Sequence, residues 1–373
     1  MIKYFYVNNY KSFVNFKVEF DKIALLLGKN GSGKSNLFEV VSKLCRFING
    51  DDATTVDKIF SYNSLTRWMK SNIQTFEFCI EEDQNEYIYS LEVIYSNTTY
   101  KCSINSEKIT RNGSVLMTVA DGIVTINDDM SLKSMGFLTG KEYSSIRFAP
   151  DDEQHKFIRD FKSFIRRIII CTPDPKGMLS LVGDDSDRLE PDFSNIGSVC
   201  ADLLQTLPEA FVELNSVMKE INPSYVMARI VPGAYNKSLC IEYLYKDVKC
   251  VFDFNDLSDG EKTIFSLYLL IFAYLKNGFT LLMDEPDNYI SLREIQAICM
   301  TIEEKVQDNG QCILISHNGD VINYFTDQAG IWFERNTSGE SRIIDNPYYR
   351  DKEEVIMPYS EMISRGIGEM DEA

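Results

Sequence analysis

The stretch Ile23-Ala24-Leu25-Leu26-Leu27-Gly28-Lys29-Asn30-Gly31-Ser32-Gly33-Lys34-Ser35-Asn36 constrains this chain more than any other. An apolar run leads into a glycine-rich turn, and Lys-Ser then opens a helical pattern. The spacing G-x-x-x-x-G-K-S is that of a phosphate-binding loop. Glycines let successive backbone N–H groups curl round an anion with no Cβ in the way. The helix that follows aims its N-terminus at the same phosphates. In such a loop Asn30, Gly31, Ser32, Gly33 and Asn36 line the nucleotide. Lys34 supplies a cation near the β- and γ-phosphates, and the Ser35 hydroxyl can ligate Mg²⁺.

A chain of 373 residues can bury a large core and divide into two lobes. No apolar run reaches a membrane-spanning length and the N-terminus lacks a signal-peptide pattern, so no membrane partner is expected. The nine cysteines are scattered singly, without C-x-x-C or zinc-like spacing, as in buried, reduced thiols of a cytoplasmic protein. His155 and His317 are the only histidines, which excludes a histidine-rich metal site. A formal charge of −18 disfavours a surface coated with nucleic acid but leaves a local basic groove open.

Taken in order, residues 1–20 read as a short antiparallel pair leading into the loop strand. Leu37, Val40, Val41, Leu44 and Phe47 then mark one face of a helix from about Lys34 to Phe47. Residues 53–73 are irregular. From Thr75 to about Ile126 the pattern turns to period two with turn residues between runs, a meander of antiparallel strands. His155–Ile170 carries Phe157, Phe161, Phe164, Ile165 and Ile168 at helical spacing, with Lys156, Arg159, Lys162, Arg166 and Arg167 on other faces. Such a basic face suits either solvent or a phosphate backbone. Further helices follow near Ile196–Leu207 and Glu209–Ile221, and residues 225–254 return to strand-like alternation. The patterning divides the chain into a first part of a nucleotide-binding core at 1–50 and a β-rich insert at 51–150. A helical lobe with return strands occupies 151–250, the second part of the core 251–335, and a polar tail 336–373.

Four later stretches complement the phosphate loop, one of them Asp287-Asn288-Tyr289-Ile290-Ser291, a loop just past the acidic strand. Thr280-Leu281-Leu282-Met283-Asp284-Glu285-Pro286 is an apolar strand ending in two carboxylates. A cation gives a reason for adjacent acids: Asp284 suits Mg²⁺, and Glu285 is then placed to polarise an attacking water. Leu257-Ser258-Asp259-Gly260-Glu261-Lys262 precedes the helix Thr263–Leu275, with Ser258 and Glu261 spaced as a capping box. Gln311-Cys312-Ile313-Leu314-Ile315-Ser316-His317-Asn318 is a second buried strand, ending in a histidine. It follows the acidic strand by one helix, Leu292–Val306, as a neighbouring parallel strand does. From there His317 can reach a γ-phosphate or the attacking water.

Together GKNGSGKSN, LSDGEK, LLMDEP and ILISHN resemble the motifs of the ABC-type ATPase heads of the SMC, RecF and overcoming-lysogenization-defect superfamily. Asn9-Tyr10-Lys11-Ser12-Phe13 looks like the entry strand of these heads. Glu190-Pro191-Asp192-Phe193-Ser194-Asn195-Ile196 is similar to a helical-lobe motif of their single-head relatives. The resemblance implies an α/β P-loop NTPase with a mixed, partly parallel core sheet, an inserted antiparallel β lobe and a helical lobe. It implies Mg²⁺-dependent ATP hydrolysis by a head-to-tail homodimer, or a larger homo-oligomer, that sandwiches ATP. Ser258 and Gly260 would contact the γ-phosphate bound by the partner subunit's Lys34. Glu285 would act as general base, His317 as γ-phosphate sensor, and Ser35 and Asp284 as metal ligands. Two features depart from the pattern. Ser291 stands where many such heads carry aspartate, and the glutamine loop has only Gln154 as a candidate.

No heptads persist between residues 50 and 250, which argues against coiled-coil tethering. The segment after His317 is too short for the nuclease domain of the overcoming-lysogenization-defect nucleases. The first expectation is therefore an ATPase that controls a separate effector protein in a bacterial anti-phage defence module. The alternative is a RecF-like DNA-repair ATPase that binds DNA through the basic helix. A third possibility is a nucleotide-dependent switch that hardly turns over.

Overall fold

The computed structural model describes residues 1–50, 55–127, 134–138, 140–148, 155–183, 188–307, 309–347 and 357–365. In chain order the elements are β1 (Ile2–Asn8), β2 (Phe16–Glu19), β3 (Ile23–Leu27), α1 (Lys34–Asn49), α2 (Val56–Ile59), β4 (Ile73–Glu82), β5 (Asn85–Tyr95), β6 (Cys102–Arg111), β7 (Ser114–Ala120), β8 (Ile123–Asn127) and β9 (Ser134–Leu138). They continue with α3 (Lys156–Arg166), β10 (Ile168–Cys171), β11 (Leu181–Val182), α4 (Ile196–Thr206), α5 (Pro208–Ile221), β12 (Tyr225–Pro232), β13 (Lys237–Tyr245) and β14 (Val248–Asp253). The last are α6 (Asp259–Ala273), β15 (Thr280–Asp284), α7 (Leu292–Val306), β16 (Gln311–Ile315), α8 (Gly319–Ala329), β17 (Gly330–Arg335), β18 (Ser341–Ile344) and α9 (Tyr359–Ser364).

The chain forms two compact units. One comprises residues 1–21, 27–168 and 331–345, the other residues 22–26, 169–330 and 346–373. In the first unit an antiparallel sheet runs β2-β1-β4-β5-β6-β7-β8-β9. Its alternation buries Phe76, Phe78 and Ile80 on β4 and Tyr87, Tyr89, Leu91, Val93 and Tyr95 on β5. The apolar stripe of α1 packs on this sheet through Phe60, whose ring lies 6.1 Å from Phe47 and 4.8 Å from Phe76. Each such buried aromatic or leucine contributes about 1.5–3 kcal/mol.

Two sequence expectations are corrected in this unit. The basic helix ends at Arg166 rather than Ile170, because three consecutive β-branched isoleucines favour the strand β10. Lys156, Arg159 and Arg166 are exposed on α3, but Lys162 is half-buried and Arg167 pairs with Glu82. The segment read as a polar tail contributes β18, which pairs antiparallel with β17 from Arg335↔Ser341 to Trp332↔Ile344.

In the second unit β15 lies parallel to β16, with Asp284 opposite Ile315, and β16 lies parallel to β3. The acidic strand and the histidine strand are thus neighbours, as their spacing implied. β12, β13, β14 and β11 form a second, antiparallel sheet. From Lys262 to Ala273 every residue of α6 is buried, as in a helix that runs through a core. All nine cysteines are free and eight are buried. Among the described residues no helix is long and apolar enough to cross a membrane.

Candidate functional site

β3 hands the chain to the first unit at Leu27, and the phosphate loop follows. Gly28, Gly31 and Gly33 have φ of 137°, 80° and 116°, values that glycine adopts without strain. Gly33 caps α1 in the left-handed conformation, and the first turn of the helix holds no acidic residue. Its positive end is thus left for an external anion. The buried Lys34 reaches back across the loop and donates to the Gly28 and Lys29 carbonyls at 2.6 and 3.2 Å. Ser32 is buried with an unpartnered hydroxyl, a cost that a phosphate oxygen would remove. Lys11 donates to Asn36 at 3.1 Å, so the entry segment touches the first turn of α1.

The β17–β18 hairpin packs against this loop. A Cβ at Gly28 would overlap the Phe333 carbonyl, and one at Gly33 would lie 2.6 Å from the Ser341 hydroxyl. Ser341 in turn shares a 2.8 Å hydrogen bond with the Ser12 hydroxyl. Nothing local in the sequence announces these contacts, since the hairpin lies some three hundred residues downstream.

The second unit brings Asp284, Glu285 and His317 together at the ends of β15 and β16. The Glu285 N–H donates to the Ile315 carbonyl at 2.8 Å. Pairing therefore continues one residue past β15, and the chain then turns with Glu285 at φ 49°. A left-handed glutamate is costly and is retained where the surroundings over-determine it. Its carboxylate accepts from Asn288 Nδ2 at 3.0 Å and lies 3.8 Å from His317 Nε2. Both side chains are about half exposed, so one water can hydrogen-bond both.

The signature segment starts α6 as its spacing implied. The Ser258 hydroxyl accepts from the Glu261 N–H while the Glu261 carboxylate accepts from the Ser258 N–H, completing the capping box. A Cβ at Gly260 would lie 3.0 Å from the Tyr289 carbonyl, so this turn and the loop after Glu285 lie against each other. Ser291 caps α7 in a second capping box with Glu294, which gives the serine a local role where aspartate was expected. Gln154 lies outside the described residues.

Sequence reading placed Asp287 in the loop past the acidic strand and gave it no role of its own. It is buried, with Oδ1 unpartnered, beside a small cavity of about 20 Å³ lined by Leu267, Met283, Ile295, Cys299 and Leu314. Burial pushes its carboxyl above the ordinary aspartate range. The neighbouring Glu285 charge adds to the rise, and a hydrogen bond from Ser316 opposes it. The Ser316 hydroxyl also accepts the Asn318 N–H at 3.0 Å. Asp287 and Ser316 thereby tie the turn after Glu285 to the one that carries His317.

Because the folded pKa of Asp287 is raised, this group favours the folded state in acid. Stability is lost as the pH rises from the ordinary aspartate value of about 3.9 through the raised folded value. Asp287→Asn keeps the shape and the bond to Ser316. The thermal midpoint of the variant is expected to exceed that of the parent at neutral pH, and the gain to vanish in acid. Equal midpoints at neutral pH would contradict the assignment.

A phosphate loop feeding an α/β core, a capped signature turn and adjacent acidic and histidine strands define an ATPase head of ABC type. The chain belongs to the RecF/RecN/SMC N-terminal domain family, whose model matches residues 1–340. Among solved structures it is similar to an SMC head bound to the C-winged helix domain of ScpA. The identity is 16% over 92% of this chain and 97% of that one, with a TM-score of 0.55. It is also similar to an Smc head domain with an extended coiled coil, bound to the C-terminal domain of ScpA from Pyrococcus furiosus. There the identity is 14% over 92% and 95% of the two chains, with a TM-score of 0.50. At such identities the likeness is one of fold. Comparison with curated proteins gives no match.

Proposed function

We propose that this protein binds and hydrolyses ATP, dimerises around it, and through that cycle controls a separate effector protein in a bacterial anti-phage defence module. The observation that carries the reading is the Glu285 carboxylate, held by a left-handed turn 3.8 Å from His317 at adjacent strand ends. The phosphate loop fits a nucleotide on its own evidence, the orphaned Ser32 hydroxyl and the inward Lys34. Ser35 and Asp284 offer the hard oxygen donors that Mg²⁺ takes. When bound, the ion would neutralise charge on the phosphates. Glu285 would accept the proton of the attacking water, and His317 would hydrogen-bond the γ-phosphate or that water. Ser258 and Gly260, at the positive end of α6, would serve the γ-phosphate held by the partner subunit's Lys34.

Control of a separate protein is supported by what lies between α1 and α6. The described inserts are strands and helices of at most 14 residues, α5 being that long. They offer no coiled-coil arm among the described residues. The β13–β14 hairpin exposes Leu244, Tyr245, Val248, Val251 and Phe252, an apolar patch of the kind that marks a protein contact.

The test is to purify Glu285→Gln from its native host with ATP and Mg²⁺ and weigh the intact complex. A dimer, or a multiple of it, carrying a second protein at fixed stoichiometry is expected. A bare dimer with nucleic acid would favour a RecF-like DNA-repair role, and a monomer would overturn the sandwich.

A further inference from the structure

We propose that the free edge of β14 pairs with β14 of a second copy, antiparallel about a two-fold axis at Val251. The contact uses neither the phosphate loop nor the signature turn, so it is a second interface between copies and needs no nucleotide. β11 and β14 lie end to end on the same side of β13, β11 opposite Lys237 and Ser238 and β14 opposite Cys240–Tyr245. Among the described residues β14 pairs with β13 alone. Its register has no bulge and its sequence no proline, so two of the usual shields of a sheet edge are missing.

The hairpin turn fixes which main-chain groups face outward. Lys246 and Asp247 have φ of 49° and 66°, as in a two-residue turn of type I′. The flanking Tyr245 and Val248 then exchange both bonds, as do alternate pairs further along. Val248, Cys250 and Phe252 thus turn their main-chain groups to β13. Lys249 and Val251 turn N–H and C=O away from it, and Asp253 its N–H. Among the described residues no other backbone group meets these. Val248, Lys249, Val251 and Phe252 are also exposed, two on each face of the sheet.

The edge is complementary to itself in one register. With Val251 opposite the partner's Val251, Lys249 falls opposite the partner's Asp253, and Asp253 opposite the partner's Lys249. Opposite charges across antiparallel strands favour pairing and like charges oppose it. Lys249 Nζ lies 2.8 Å from Glu242 and has further protons to donate. Asp253 uses one oxygen to accept the Asn255 N–H at 2.9 Å and keeps the other. A slip of two residues in one direction sets Asp247 against the partner's Asp253, and in the other it carries Lys249 past the strand end. This match of charge and outward main-chain groups selects a second copy over an unrelated peptide. Leu244 and Tyr245 on β13 remain exposed for a separate protein.

Without nucleotide the full chain is expected to weigh as a dimer. Lys249→Glu and Asp253→Lys should each weaken that dimer about tenfold or more. An equimolar mixture of the two variants should restore it, since each strand then meets opposite charge on the other, and recovery on mixing shows that both variants fold. Cys250 is the one cysteine of the nine that is not buried. In a Cys250→Ser background, Val251→Cys treated with a thiol oxidant should give a covalent dimer, because the two Cα atoms at 251 would lie about 5.5 Å apart. In the parent Cys250 would face the partner's Phe252 and should form none. A covalent dimer of the parent through Cys250 would overturn the register and with it the proposal. So would a dimer indifferent to both charge variants. A parent that is monomeric until ATP is added would remove this interface and leave the ATP sandwich standing. If such a monomer carries a second protein from its host and Val251→Pro, which deletes an outward N–H, releases it, the edge belongs to that protein instead.

Discussion

Replacing Glu285 by glutamine is expected to slow ATP turnover about 10²–10⁴-fold, the usual worth of a positioned general base, while ATP affinity changes little. Glutamine keeps the length of the side chain and can still accept from Asn288 Nδ2. The left-handed turn and the Glu285 N–H bond to Ile315 are untouched. What it loses is the ability to take a proton. Single-turnover hydrolysis beside equilibrium ATP binding separates the two effects. An unchanged basal rate would remove Glu285 from the chemistry and favour a nucleotide-dependent switch that hardly turns over.

Substituting alanine at Gly28 is expected to cost about 4 kcal/mol or more, enough to compromise folding. Alanine at Gly31 should cost only about 1–2 kcal/mol. Both glycines have positive φ, so backbone strain is common to the two. They differ in what a methyl group would meet. At Gly31 nothing lies within 4 Å, whereas at Gly28 the methyl would overlap the Phe333 carbonyl oxygen. That oxygen is main chain within the β17–β18 hairpin and cannot turn aside as a flexible side chain would. Denaturant unfolding of the two full-length variants is the measurement. Equal destabilisation would mean that the hairpin does not press on the phosphate loop.

The difference between these glycines also shows where sequence reading stops. The pattern G-x-x-x-x-G-K-S identifies a loop that needs positive φ, because that need is local. Which glycine is crowded depends on a strand some three hundred residues away. Trp68 behaves likewise. In the sequence it sits in an irregular stretch, and only the fold lays its ring against the turn at Gly339. Asp287 looked like a loop residue. The fold buries it and gives it Ser316 as a partner, a relation set by the parallel pairing of β15 and β16. The basic helix was read too long because apolar spacing continues through Ile168, and periodicity alone does not separate a helix end from a buried strand.

By itself the sequence determined the elements whose signals are local. These are the phosphate loop between strand and helix, the Ser258 capping box, the antiparallel meander, and two apolar strands ending in Asp284-Glu285 and His317. Capping, glycine conformations and hydrophobic period act over a few residues, so they are written in consecutive letters. The tertiary structure alone decided that β17 and β18 brace the phosphate loop, that Asp287 and Ser316 join the turns that carry Glu285 and His317, and that the Trp68 ring lies against the turn at Gly339. Those relations arise from close packing between segments distant in the chain, where each contact depends on the register of strands that no local preference specifies.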